Sequence, residues 1–256
     1  MEVKWYGTAT LVFSAEGKTI LFDPFFPMNR ELPRPDLSEL AGCGDIFITH
    51  GHFDHLIDVP QVVAAGGGPV FCSEVAAETL LREGVDIRDI TVLQPGKPVE
   101  RGPFKVTAFK GEHIRFDLKL ILQTLFNRRV ISYRRNLGAL LKGAVRYPKG
   151  EVLVFLIEAA GKRVLHLGSL SLDEDERYPE EVDILTIPYQ GRSDLVSYAL
   201  PFIRRIQPKT IYLHHFDDSF PPVSSPVEVQ PFVDAVTENF PGIGIVLPEP
   251  LRTIAL

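Results

Sequence analysis

The chain has two cysteines among its 256 residues, Cys43 and Cys72, and neither sits in a C-x-x-C pair. That excludes a zinc ribbon and a thioredoxin-like redox motif. Long apolar runs are also missing. The longest uninterrupted one, Val152 to Ile157, is far below the roughly 18 residues a membrane-spanning helix needs. The opening residues, Met1 to Trp5, carry one acid and one lysine before a strand-like run, unlike the basic start of a secretory leader. Two free thiols and no leader pattern lead us to expect a cytoplasmic protein. Positive charge is not in surplus: the net charge is −6, so the whole-chain field repels phosphate and argues against nucleic acid as a general partner.

What is present is an ordinary globular composition, 45% hydrophobic and 23% charged. The length suits one domain with a well-buried core, spanning 1–256. The first part reads as β: Leu11 to Ala15 and Thr19 to Phe22 flank the turn signal Glu16-Gly17-Lys18. After a Pro-rich loop, Asp45 to Thr49 reads as a buried strand. A short helix over Pro60 to Ala65, a strand at Val70 to Cys72 and a helix capped by Ser73 and stopped at Gly84 follow. Strands are expected near Ile90 to Leu93 and Phe104 to Phe109. The second half repeats the alternation: Val152 to Glu158, Arg163 to Leu167 and Asp183 to Pro188 as strands, Leu195 to Ile206 as a helix, then Thr210 to Leu213, a helix over Val227 to Phe240, and a strand at Gly244 to Leu247. Two halves with the same rhythm suggest two sheets sandwiched between helices.

One segment breaks the rhythm. Residues 115–149 hold nine basic residues and one acid, +8, against 18 basic and 32 acidic residues, −14, elsewhere. The segment is apolar as well, with Phe116, Leu118, Leu120, Ile121, Leu122, Leu125 and Phe126 ahead of Arg128-Arg129. A basic, apolar stretch of this kind fits a lid or specificity insertion better than a plain pair of solvated helices.

The chemistry concentrates elsewhere. The string His50-Gly51-His52-Phe53-Asp54-His55 places three imidazoles and a carboxylate within six residues at the end of a buried strand. Imidazole and carboxylate are natural ligands of Zn²⁺ and similar ions. Four ligands packed so densely are read most economically as serving two metals. The remaining histidines, His113, His166, His214 and His215, all fall in or just after strands, where a common sheet edge gathers them.

The H-x-H-x-D-H string resembles the signature of the metallo-β-lactamase superfamily. The opening K-W-Y-G-T-A-T-L-V-F with I-L-F-D-P, and H-H-F-D-D near the end, resemble one branch, which includes ascorbate-phosphate lactonase and the phospholipase D that cleaves N-acyl phosphatidylethanolamine. The resemblance implies an α+β fold, a four-layer αββα sandwich, here with a helical basic insertion at 115–149. It implies that His50, His52 and His113 hold one metal and Asp54, His55 and His215 a second, His215 rather than His214 because Phe216 follows it. Asp23 would orient a ligand histidine. The cofactor expected is Zn²⁺, one or two per chain, with Mn²⁺ or Fe²⁺ as alternatives.

Two departures from the branch stand out. Ser169 occupies the place of an expected bridging aspartate, in the string His166-Leu167-Gly168-Ser169; His166, Asp173 or Asp175 are candidates to compensate. Thr8 stands where the branch often has histidine, and is read as lining the site. The function implied is hydrolysis by a metal-activated hydroxide, oriented by Asp54 as the catalytic residue. The basic segment points to an anionic, phosphate-containing ester or lactone, or a lipid-like anion, bound by Arg128, Arg129, Arg134, Arg135 and Arg192. The competing readings are an RNA or nucleotide phosphodiesterase and, because of Ser169, a degenerate metal-binding non-enzyme. The oligomeric state is not written in the sequence.

Overall fold

Side-chain alternation along the strands decides the layering. In β9 (Val152–Ala159), Leu153, Phe155 and Ile157 enter one apolar cluster, while Val154 and Leu156 enter another on the opposite face. A strand that is apolar on both faces has to be covered on both. The structure, a computed structural model that describes residues 1–119 and 129–256, meets that demand with two sheets face to face and helices outside them.

The first sheet contains β1 (Glu2–Trp5), β2 (Leu11–Ala15), β3 (Lys18–Phe22), β4 (Asp45–Phe47), β5 (Val70–Cys72), β6 (Ile90–Val92) and β14 (Thr253–Ala255), in the order β14-β1-β2-β3-β4-β5-β6. The second contains β7 (Pro98–Arg101), β8 (Phe104–Gly111), β9, β10 (Lys162–Leu167), β11 (Ile184–Pro188), β12 (Thr210–His214) and β13 (Gly244–Val246), in the order β13-β12-β11-β10-β9-β8-β7. Both sheets follow one plan. Antiparallel pairing runs from β14 through β1 and β2 to β3, and from β7 through β8 and β9 to β10; parallel pairing runs from β3 to β6 and from β10 to β13.

Between the sheets lies an aromatic-rich core: Phe13, Phe22, Phe47 and Phe71 from the first sheet meet Phe104, Phe155 and Tyr212 from the second. Outside the first sheet, α1 (Leu37–Ala41), α2 (Phe53–Leu56), α3 (Val59–Ala64) and α4 (Glu74–Arg82) contribute Leu40, Leu56, Val62 and Leu80 to a second cluster. Outside the second sheet, α7 (Leu195–Ile206) and α8 (Gln230–Asn239) contribute Ile203 and Phe232 to a third. The result is the αββα sandwich of the metallo-β-lactamase fold. The basic stretch contains α5 (Arg129–Ser132) and α6 (Arg134–Arg146). No described helix is long and apolar enough to cross a membrane.

The differences from the expected elements have local reasons. β7 and β14 have exposed or half-buried residues and no apolar run to announce them. The helix expected from Val227 begins at Gln230, with proline in its first turn, where a missing N–H costs nothing. Ser73 precedes α4 as expected, but its hydroxyl makes no capping bond.

His166 and His214 belong to the inter-sheet core. On β10, Leu165 and Leu167 face outward, so His166 faces in; on β12, Leu213 faces outward, so Tyr212 and His214 face in. The two rings lie 5.5 Å apart, and His166 packs edge-on against Phe22 at 4.8 Å. Burial lowers the pKa of His166 from the usual 6.5 to about 4. Burial, with His166 alongside, holds His214 well below its usual value. The unfolded chain takes up these protons below about pH 6.5 while the folded chain does not. Their contribution to stability is therefore complete above pH 6.5 and lost as the pH falls toward 4. The melting temperature of metal-free protein is expected to fall steadily between pH 6.5 and 4.5; a flat profile by scanning calorimetry would contradict this.

Candidate metal centre

The backbone changes conformation inside the histidine string, and that change sorts the side chains. His50 follows β4. His52 is still extended (φ −60°, ψ 153°) and caps α2, while Asp54 and His55 lie within that helix's single turn. Two residues apart on an extended chain, His50 and His52 face the same way. The helical turn then carries Asp54 and His55 to a neighbouring position. His113 arrives just beyond the end of β8, and His215 just beyond β12.

The structure gathers two groups, His50, His52 and His113 in one and Asp54, His55 and His215 in the other, each with its ligand atoms within 4.8 Å of one another. The His50 and His55 rings are 3.9 Å apart, His52 and His113 4.6 Å. Asp54 Oδ2 lies 3.6 Å from His55 Nε2 and 3.4 Å from His215 Nε2. His215 adopts a left-handed backbone conformation (φ 57°). That turn takes its side chain out of the alternation that buries His214, so His215, not His214, reaches the group.

The hydrogen bonds behind these rings fix which nitrogen each presents. Asp23, fully buried at the end of β3, accepts from the Thr49 backbone N–H (2.8 Å), the Thr49 hydroxyl (2.6 Å) and His55 Nδ1 (2.9 Å). The one hydroxyl proton of Thr49 is spent on Asp23, so at 3.1 Å from His50 Nδ1 its oxygen accepts from that ring. His113 Nδ1 donates to the Ile114 carbonyl at 2.7 Å. His50, His55 and His113 thus turn bare Nε2 atoms inward, the arrangement that ligating histidines need. The donor set and these tautomers fit divalent metal ions in both groups.

Electrostatics favour the neutral, ligating form at His50, His52 and His113. Burial lowers the pKa of His50 well below the ordinary value, and the surrounding imidazoles add to it. Burial brings His113 down to about 4 and also lowers His52, with His55 and Lys149 contributing. Burial opposes ionisation of Asp54, but His55, His215 and His52 outweigh it and hold the carboxyl well below the usual range. His55 is moved the other way: burial disfavours its charge, yet Asp23 and Asp54 raise it.

Other expected site residues are placed as follows. Ser169 lines the cavity, and its hydroxyl accepts from the Ile114 backbone N–H at 3.0 Å, tying the segment after His113 to the end of β10. Gly168 is needed beside it: a Cβ there would lie 2.4 Å from the Thr49 Cβ. Thr8 does not line the cavity; it is fully buried, and its N–H donates to Asp217. Asp173 and Asp175 lie outside both groups. Arg192 lines the cavity, but its guanidinium is paired with Asp194 at 2.5 and 2.8 Å and lies over Tyr198. Arg129 was expected at the substrate; instead it pairs with Asp218 and does not line the cavity. Arg128 and the side chains of Arg134 and Arg135 lie outside the described residues. Thr49 was not singled out from sequence, although its place between a buried strand and the first histidine is a usable signal.

The cavity over the two groups measures about 680 Å³, and its walls include Phe53, Phe116, Tyr147, Phe220, Val223 and Val227. Lys119, Lys149 and Arg192 also line it.

Residues 2–215 match the family described as the β-lactamase superfamily domain. The chain belongs to this superfamily. A UPF0173 metal-dependent hydrolase of Exiguobacterium sp. is 27% identical over 244 residues, covering 91% of this chain and 92% of that protein. Among solved structures, Igni18, a metallo hydrolase from Ignicoccus hospitalis, superposes with a TM-score of 0.65 at 17% identity over 99% of this chain and 97% of its own. The metallo-β-lactamase fold protein YhfI of Bacillus subtilis does so with 0.63 at 14% identity, covering 99% and 98%. At such identities these two structures show a shared fold. Within the superfamily fold, the two groups sit where strands of both sheets end.

Removing the Thr49 hydroxyl leaves His50 Nδ1 without an acceptor and takes one hydrogen bond from buried Asp23. Thr49→Val is expected to weaken metal affinity by about 10- to 100-fold, the usual scale for such supporting contacts. Competition with a chromogenic chelator, with circular dichroism to establish folding, checks this; wild-type affinity would refute it.

Proposed function

We propose that this superfamily member is a metal-dependent hydrolase that binds two ions, and that its substrate is an anionic, phosphate-containing ester or lactone. The observation that carries the reading is the pair of three-ligand groups lining one cavity, each with its ligand atoms within 4.8 Å of one another. His50, His52 and His113 would hold one ion and Asp54, His55 and His215 the other. Zn²⁺ suits three imidazoles and an imidazole–carboxylate set equally, and Mn²⁺ or Fe²⁺ are compatible with the same donors. Ions held in this way supply hydroxide at neutral pH and a Lewis acid for the oxygen under attack.

The protein's own part is positioning. Asp54, buried and ionised among three histidines, is placed to accept a hydrogen bond from the attacking water and fix its direction. Asp23 and Thr49 hold His55 and His50 in place without touching substrate. Ser169 supplies no bridging carboxylate; its hydroxyl keeps the segment after His113 beside β10. The aromatic walls exclude bulk water from the attacked bond and accommodate an apolar part of the substrate. Lys119 and Lys149 at the cavity favour a negative group, which is why a phosphoester or phosphorylated lactone, as in the branch the sequence resembles, is preferred to a neutral ester.

Elemental analysis of protein purified without chelator is expected to give two ions per chain. The same protein should hydrolyse a chromogenic phosphodiester, and His52→Ala or Asp54→Ala should lower kcat by at least about a hundredfold while the fold persists. One ion and retained turnover would point to a mononuclear enzyme. Two ions with no turnover on phosphodiester, lactone or ester would favour a metal-binding protein without hydrolase activity.

A further inference from the structure

A second cavity, of about 1100 Å³, lies on the far side of His52 and His113. Five residues line both cavities: His52, His113, Ile114, Phe116 and Lys149. The wall between the two spaces is therefore part of the metal centre itself, and Lys149 is its only cation among the described residues.

The position of Lys149 is fixed with unusual care for an exposed residue. Its carbonyl accepts from the Gly51 N–H at 2.8 Å, inside the histidine string. A Cβ on Gly51 would lie 2.3 Å from the Pro148 carbonyl oxygen, so only glycine admits this approach. On the other side, Gly150 has φ +59°, and a Cβ there would lie 2.5 Å from Val75 Cβ. The segment 148–150 is thus pressed against both the ligand loop and α4 at two glycines.

Its ammonium is left uncommitted. Among the described residues Lys149 forms no ion pair and no side-chain hydrogen bond, whereas Arg129 and Arg146 nearby in sequence, and Arg192 at the same cavity, each bind a carboxylate. A clamped backbone carrying a free, flexible ammonium is suited to meet an anion that arrives with substrate. The second cavity is of mixed charge, with Glu74, Glu112, Glu151 and Asp173 beside Lys110 and Arg115, and among the described residues Lys149 is the one of its cations that also lines the first cavity.

We infer that Lys149 is the specificity-determining residue that receives the substrate's anionic group at the junction of the two cavities, beside His52 and His113. The inference rests on the hydrolase reading for the word substrate, but not for the binding of the anion. The substrate class it describes carries a phosphate or similar anion next to the bond that breaks. Its apolar part extends into the aromatic cavity, and a polar part into the second one, whose lining carries both signs of charge.

The test is calorimetric titration of the zinc-loaded full chain with inorganic phosphate, for wild type, Lys149→Gln, Lys149→Arg and the exposed control Lys142→Gln, with zinc content measured on each. Lys149→Gln is expected to weaken phosphate binding about tenfold or more, the scale of one hydrogen bond to a charged group. Zinc content should not change, Lys149→Arg should keep most of the affinity, and the control should match wild type. Steady-state kinetics of Lys149→Gln should show KM rising severalfold more for an anionic chromogenic ester than for a neutral one. Phosphate binding within about twofold of wild type in Lys149→Gln, absence of binding in wild type, or loss of zinc with the lysine would each overturn the inference. Lysine-dependent phosphate binding without turnover of either ester would uphold the anion site and sink the hydrolase reading.

Discussion

The buried carboxylate of Asp23 is the interaction on which the rest of the site depends. It stands at the end of β3 in a left-handed backbone conformation, fully excluded from water, and accepts three hydrogen bonds from Thr49 and His55. An unpaired buried carboxylate would cost several kcal/mol, so those three donors are effectively obligatory. Satisfying Asp23 therefore dictates where the end of β4 sits, which way the Thr49 hydroxyl points, and hence which nitrogens of His50 and His55 are left for a ligand. The candidate metal centre is organised from behind, through groups that would not themselves meet an ion.

The residue types of the site were visible in the sequence because metal chemistry restricts them sharply. Four short-range positions, His50, His52, Asp54 and His55, declare themselves by composition alone. The separation of His50 and His52 from Asp54 and His55 was also legible from the string itself, whereas the places of His113 and His215 came from the family resemblance. His166 and His214 show a second legible level: the period of two along β10 and β12 places both in the inter-sheet core once the flanking leucines are assigned outward. What the sequence hides is long-range. Thr49 matters because of Asp23, 26 positions earlier, and no local pattern joins them. β14 has meaning only as the partner of β1, at the other end of the chain.

Charge was the least transferable clue. The +8 of residues 115–149, together with Arg192, suggested substrate-binding arginines; the two of these whose side chains are described, Arg129 and Arg192, are each claimed by an acid. Arg129 is claimed by Asp218 and Arg192 by Asp194. Arg129 thereby ties α5 to the loop that follows His215, and Asn136 of α6 donates to the Pro221 carbonyl in the same loop. At Arg129, paired charge fastens a helix of the basic stretch to that loop. Net charge counts residues, whereas recognition depends on which charges are left without partners.

The two sheets repeat one pairing plan, and each triad draws on both. His50 and His52 leave the first sheet and meet His113 from the second; Asp54 and His55 leave the first and meet His215 from the second. An ion in either triad is thus a rivet through both plates of the sandwich. It closes chain loops of roughly 60 and 160 residues, an entropy cost that grows only as the logarithm of length and falls on folding, not on binding. Neither sheet owns a complete group. Ion capture at these groups would be a property of the docked sandwich as a whole, and any motion that slides one sheet across the other would be felt first at its rivets.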